Sequence, residues 1–414
     1  MNVLLVHQNF PGQFKHLAPE LVRRGDRVVA LTMNQPAAMA GVEIHSAPPE
    51  IGTSTKLAWA QDFETKLLRG ESAFRRARQL RADGFMPDVI LGHMGWGDTL
   101  FLKDVWPQAR LGVYCEFFYR DTEDDSHFDP EFTAQGDEVA RRIRLKLKSL
   151  PQRLHFEMAN AGISPTRFQA DTYPAPFRER IAVIHDGIDT GRLKPRDDSS
   201  VTLGNGAAFT KTDEVVTFVS RNLEPYRGYH IFMRALPRLL RERPKAHVFI
   251  VGSHGVSYGA APPAGNWRDI FFNEVKDQLD VSRVHFVGHV PLPLFHELLS
   301  ISRLHVYLTY PFVLSWSLLE AMALGAPVLG SDTAPVREVI AHGENGMLVD
   351  FFDGEALVRR ACEMLGSESL RRVLSGRARA TVVEGYDLAS VSLPQQLAWI
   401  DALAGQPPRP PLFE

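Results

Sequence analysis

The chain reads as an α/β protein of two doubly wound, Rossmann-like domains facing across a cleft. Three observations predict this. Short apolar runs alternate with helical periodicity along the whole length, which implies parallel strand pairing. The alternation is interrupted by one polar stretch, from Gly191 to Asp213, and then restarts. At about 150 residues per domain, a chain of 414 residues can bury two or three cores.

Taken in order, Val3–Val6 is the first strand, followed by a loop and a helix from about Phe14 with Leu17 and Leu21 on one face. Arg27–Thr32, Asp88–Leu91, Leu111–Tyr114, Ala161–Ser164 and Ile181–Ile184 are further strands, separated by helical or loop sequence. The polar stretch, with its Asp, Ser, Gly and Asn clusters, reads as a linker. Val215–Ser220 and His247–Val251 are strands joined by a helix over Tyr229–Arg241, and His285–Val287, Leu304–Leu308, Val328–Gly330 and Gly346–Val349 continue the series. A helix over Leu393–Ala404 precedes an extended proline-rich tail. The expected division is therefore 1–195 as an N-terminal domain, 196–213 as linker, 214–385 as a C-terminal domain, and 386–414 as a helix and tail packing back on the N-terminal domain.

Composition narrows the function. A formal net charge of -3 lacks the basic excess of a dedicated nucleic-acid binder. The two cysteines, Cys115 and Cys362, make no metal or disulfide framework, which suits a reducing compartment. The chain opens directly into a strand without signal-peptide features, and no run approaches the ~18 apolar residues of a membrane span. A cytoplasmic location is expected. The cations Arg141, Arg142, Arg144, Lys146, Lys148 and Arg153 alternate with apolar residues. With Lys66, Arg69, Arg75, Arg76, Arg78 and Arg81 they are read either as an ordinary solvated surface or as a face for anionic lipid on the inner side of a membrane. The acidic run from Asp121 to Asp125 is read as a solvated loop rather than a metal site.

The chemistry concentrates in two places. Arg221 and Arg227 bracket a turn at the carboxyl end of strand Val215–Ser220, and a helix begins after Gly228. Two forked, permanently charged donors beside a helix N-terminus suit a diphosphate. The second place is the run from Tyr310 to Asp332, where Ser315 caps a helix, Gly325 ends it, and Val328–Leu329 is a strand. On that helix Glu320 is a carboxylate among apolar residues and needs a partner, either an arginine or the hydroxyls of a ligand.

Together these motifs resemble the retaining glycosyltransferases of family four, which have the two-domain GT-B fold. The resemblance rests on Ser220, Arg221 and Tyr226–Gly228, on the strand and glycine loop Phe249–Gly255, on Val284–Val290, on Ser315–Asp332 and on Asn345–Val349. It implies that Glu320 accepts hydrogen bonds from the donor ribose, and that Arg221 and Arg227 hold the diphosphate and stabilise the leaving group. The backbone at His289 and Val290 is expected along the base, and the glycine loop at Gly252 beside the donor. In the N-terminal half, Gly12 lies where the family has a glycine loop and His93 where it has a histidine at the donor sugar; a purely structural hydrogen-bonding role is the alternative for His93.

Three departures stand out. Phe312 occupies the position of the family's first glutamate, eight residues before Glu320, unless a two-residue insertion places Tyr310 there. Backbone groups at Leu314, Ser315 and Trp316 are then the expected contacts to the sugar. Position 227 is Arg where the family has Lys. The segment from Ser257 to Trp267 either lines the cleft or packs against the domain. The resemblance implies a metal-independent enzyme without a resident cofactor, taking a UDP- or GDP-sugar and an unidentified saccharide, lipid-linked or small-molecule acceptor, with retention of configuration. A weakly catalytic nucleotide-sugar-binding protein and a nucleotide-sugar epimerase are the alternatives.

Overall fold

A computed structural model describes residues 1–35, 37–120, 125–132 and 138–411. Their contacts divide into two compact units, one built from residues 1–35, 37–120, 138–187 and 389–411, the other from 125–132 and 188–388. The acidic run from Asp121 lies outside the described residues except for Asp125.

The first unit is a seven-stranded parallel sheet: β1 (Asn2–Val6), β2 (Arg27–Thr32), β3 (Val42–Ser46), β4 (Val89–His93), β5 (Arg110–Tyr114), β6 (Ala161–Ser164) and β7 (Ile181–Val183). The strands lie in the order β3-β2-β1-β4-β5-β6-β7. Every residue from Val3 to Val6 is fully buried. Leu4 and Val6 join one core with the helix Gln61–Ala82, while Val3 and Leu5 join another with Leu17, Leu21, Ile400 and Leu403. A parallel sheet covered on both faces requires such continuous apolar runs. The C-terminal helix Leu393–Ala404 is thus part of this unit's core. It comes close because position 112 is glycine: a Cβ there would stand 2.7 Å from both Leu403 and Trp399.

The second unit holds a six-stranded parallel sheet whose strands are β10 (Glu214–Asn222), β11 (Ala246–Ser253), β12 (Val284–Gly288), β13 (Leu304–Tyr307), β14 (Val328–Ser331) and β15 (Met347–Val349), in the order β12-β11-β10-β13-β14-β15. The stretch read as a linker is not one throughout. It contains an antiparallel hairpin of β8 (Ser200–Thr202) and β9 (Ala208–Thr210). Val201 and Phe209 of this hairpin are buried against Val215, Phe249 and Leu298, so apolar burial rather than linker flexibility governs it. The tail beyond the C-terminal helix has no regular structure, but the carbonyls of Gln406 and Pro407 accept hydrogen bonds from Arg110 and Asn160.

The cations expected on one face of the first unit are partly neutralised. Lys66 is buried and pairs with Asp62, Arg75 pairs with Glu50 and Glu71, and Arg141 pairs with Glu138. Arg142, Arg144 and Lys146 are exposed. Among the described residues no helix is long and apolar enough to cross a membrane.

Candidate functional site

In each sheet the strand order reverses direction beside the first strand, between β1 and β4 in one unit and between β10 and β13 in the other. Loops at the carboxyl ends of strands diverge there and leave a crevice where ligands bind in open α/β sheets.

In the second unit, β10 ends in the turn that carries both arginines, and their surroundings differ. Arg221 is exposed and makes no hydrogen bond or ion pair among the described residues. Arg227 is 6% exposed; its Nη1 donates to the Thr309 hydroxyl at 2.8 Å and to the Val313 carbonyl at 3.0 Å, and its guanidinium lies 5.0 Å from the Tyr258 ring centroid. Gly228 follows at φ 67, and a Cβ there would lie 2.4 Å from Leu308 Cβ. Only glycine brings the turn this close to β13.

Glu224 organises the same turn. It is 1% exposed and accepts backbone N–H bonds from Ser257, Tyr258 and Gly259 at 3.1–3.3 Å. Burial raises its carboxyl pKa, against the lowering effect of those amides and of Arg227. The segment from Ser257 therefore packs on the turn, and it places Tyr258 beside Arg227. Gly252 closes the other side: a Cβ there would meet Leu223 and the Ser220 carbonyl at 2.8 Å.

Ser315 begins the helix Trp316–Ala323; its N–H donates to the Tyr307 hydroxyl at 2.9 Å and its Oγ accepts the N–H of Ser317. Leu314 is buried and Trp316 half-buried. Glu320 stands at the helix edge, its side chain 14% exposed, and the group facing it is His296 Nε2 at 3.7 Å, beyond hydrogen-bonding distance. The arginine alternative for Glu320 is thereby excluded among the described residues. His289 is exposed after Gly288, while Val290 packs on the core that holds Leu314. Phe312 is 3% exposed and edge-on to Tyr226 and Tyr258.

In the first unit, His7 follows β1 and His93 ends β4, with ring centroids 6.1 Å apart. His93 is stacked against Trp96 and Tyr114, its Nδ1 accepts the Gly95 N–H, and its Nε2 lies 3.5 Å from Glu116 Oε2. Burial, with His93 adding to it, lowers the His7 pKa to about 4. Gly12 is at φ 46, and a Cβ there would press on the His7 ring at 2.4–2.7 Å. Asp98 is fully buried, and burial pushes its carboxyl up to about 6 against the opposing charges of His93 and Arg69. A pocket of about 280 Å³ opens beside this edge, lined in part by Gln8, Asn9, Asn34, Thr53 and Arg69 from the loops after β1 to β3 and the helix Gln61–Ala82.

The geometry thus gathers Arg221, Arg227, Gly252, Leu314 and Ser315 at one strand-end crevice, and Gly12 and His93 at another. Glu224, Thr309 and His296 are not signalled as site residues by the sequence, and Tyr258 is signalled only as part of the segment Ser257–Trp267. Glu224 was signalled only as an acid in the arginine turn; its partners lie 33–35 residues away.

A family model described as the glycosyl transferase family 4 group matches residues 24–193, and one described as glycosyl transferases group 1 matches residues 206–381. The chain is 28% identical over 236 residues to a phosphatidyl-myo-inositol mannosyltransferase of Mycolicibacterium smegmatis, covering 52% of this chain and 56% of that protein. It spans about half or less of the length of the curated relatives it matches. Sucrose-phosphate synthase from Thermosynechococcus elongatus has a TM-score of 0.73 over 98% of this chain and 100% of its own, at 17% identity. HepE of Anabaena, solved with UDP and glucose, has a TM-score of 0.65 over 97% and 99%, at 16% identity. At such identities these two structures speak for the GT-B fold alone. With both halves matched by glycosyltransferase family models, the second half by that of group 1, and carried on that fold, the chain belongs to the glycosyltransferases.

Proposed function

We propose that the chain transfers a sugar from a nucleotide-diphosphate donor, held by the second unit, to an acceptor bound by the first, with retention of anomeric configuration. One observation carries this reading. Arg227 is a buried guanidinium with a fixed orientation, at the strand-end crevice beside a glycine that tolerates no side chain. A desolvated, preorientated cation is suited to the charge that grows on a leaving diphosphate. Arg221, exposed and unpaired among the described residues, is the second contact, and Glu320 the acceptor for ribose hydroxyls.

In this reading the leaving phosphate takes the proton of the incoming hydroxyl, and no metal is required. UDP-sugars are the donors to test first, since HepE was solved with UDP and glucose, and GDP-sugars second. The amides, hydroxyls and single Arg69 of the first unit's pocket suit a hydroxylated acceptor. Association with an anionic membrane through Arg142, Arg144 and Lys146 is part of the proposal.

Arg227→Ala should lower turnover about tens- to hundreds-fold, the scale expected when one charge-assisted contact to the transition state is lost, and Glu320→Ala should weaken nucleotide binding. Wild-type kinetics in both variants would remove the site assignment. Product anomers read by NMR decide retention, and activity in excess chelator decides metal independence. A second reading, nucleotide-sugar binding with little turnover, is favoured by the buried Phe312 if it stands where the family resemblance expects a glutamate. Donor binding without nucleoside diphosphate release across an acceptor panel would establish it instead.

A further inference from the structure

Residues 125–132 fall in sequence between β5 and β6 of the first unit, yet they form part of the second. Two aromatic anchors hold this arm. Phe128 packs against Tyr310, Phe351 and Phe352, and Phe132 packs against His230, Trp267 and Phe271.

Its carboxylates are more specific. The Tyr226 hydroxyl donates to Asp125 Oδ2 at 2.9 Å, and the Tyr310 hydroxyl donates to Asp129 Oδ2 at 2.7 Å. Asp129 also lies 3.0 Å from His230 Nε2, and Glu131 takes the fork of Arg234 at 2.6 and 2.7 Å. Asp129, Glu131 and His230 are spaced like metal ligands, but these partners already engage their oxygens.

The two tyrosines are the link to the site. Their rings are 4.6 Å apart, and the Tyr310 N–H donates to the Tyr226 carbonyl. Tyr226 directly precedes Arg227, and the acceptors of Arg227, Thr309 and Val313, lie on either side of Tyr310. Asp129 and Tyr310 are 3% and 2% exposed, and a hydroxyl buried to that degree has a strong preference for one acceptor and one orientation.

We propose that Asp125 and Asp129 are positioning residues for the diphosphate site: by fixing the hydroxyls of the Tyr226–Tyr310 pair, the arm sets where the Arg227 guanidinium stands. This rests on the reading of Arg227 as a diphosphate contact. Phe128 and Phe132 give the arm its adhesion, and the two directed hydrogen bonds give the site its register.

The test is calorimetry on the full chain with UDP, GDP and ADP and with the corresponding monophosphates. Wild type is compared with Tyr310→Phe, which keeps the ring, with Asp129→Ala, with the two combined, and with Phe132→Ala as an arm variant that leaves the tyrosines alone. Loss of one charge-assisted hydrogen bond should weaken diphosphate binding about tenfold in each of the first two variants. Monophosphate binding should stay within about twofold, since it lacks the phosphate that Arg227 would meet, and the combined variant should be no worse than either single change. Phe132→Ala should lower the thermal midpoint and leave the ratio of diphosphate to monophosphate affinity as in wild type. Equal losses for both nucleotides, or unchanged diphosphate binding in Tyr310→Phe, overturns the positioning role alone. Wild type that binds none of the three diphosphates overturns the reading of Arg227 and this inference with it.

Discussion

Gly228 shows how much of the site depends on a single atom's absence. Its backbone is left-handed at φ 67, and a methyl group would collide with Leu308. Gly228→Ala should therefore cost about 1–2 kcal/mol in backbone strain before the collision is counted, and it should displace Arg227. The expected result is a lowered thermal midpoint together with weaker nucleoside diphosphate binding; a variant as stable as wild type would refute the tight approach. Glu224 acts at the same scale from the other side. Glu224→Gln replaces a charged acceptor of three amides with a group that also carries donors, so the amides of Ser257–Gly259 should exchange hydrogen faster in that variant. Protection equal to wild type would mean the segment is held by Tyr258 packing instead. The place of Arg227 was legible in the sequence because strand β10 and Gly228 bracket its turn. The role of Glu224 was not, and the Ser257–Trp267 segment was left between two readings, because what decides both is a contact across more than 30 residues.

At the level of elements, legibility followed burial. The strands buried on both faces, such as β1 and β4, are continuous apolar runs and were plain. β3 was missed because it is an edge strand with no fully buried residue, and β8 and β9 because three-residue strands carry only one buried side chain each. The C-terminal helix was readable as a helix, but its seat depends on Gly112, whose role appears only once Leu403 and Trp399 are beside it. Gly112→Val should overpack that contact and cost about 1–3 kcal/mol, seen as a lower denaturation midpoint with Arg221 and Arg227 untouched. An unchanged midpoint would show that the helix can lift without cost.

Across the whole molecule, buried histidines set the response to acid. Burial lowers the pKa of His7, His155, His185 and His305 to about 4. The unfolded chain takes up their protons near the ordinary value of 6.5, before the folded chain does, so stability is complete above 6.5 and is lost as pH falls toward 4. Asp98 works in the opposite sense. Its folded carboxyl titrates near 6 rather than 3.8, so it favours the fold at the acid end of the same interval. Four groups outweigh one, and thermal midpoints should fall from pH 7 to pH 4.5; a flat or rising midpoint would contradict the burial of these imidazoles in neutral form. None of this was readable beforehand, since fifteen histidines in a sequence carry no sign of which ones are dry.

The seating of Ile400 and Leu403 against Val3, Leu5, Val89 and Leu91 also bears on how the molecule is made. A ribosome completes β1 to β7 long before it reaches the helix that covers one of their faces. Throughout the synthesis of residues 188–388 the nascent sheet lacks the part of its cover that Ile400 and Leu403 supply, and the second unit has its last strand, β15, by Val349, before that helix is made. Folding in strict N-to-C order is therefore closed to this chain. The half synthesised first is the half finished last.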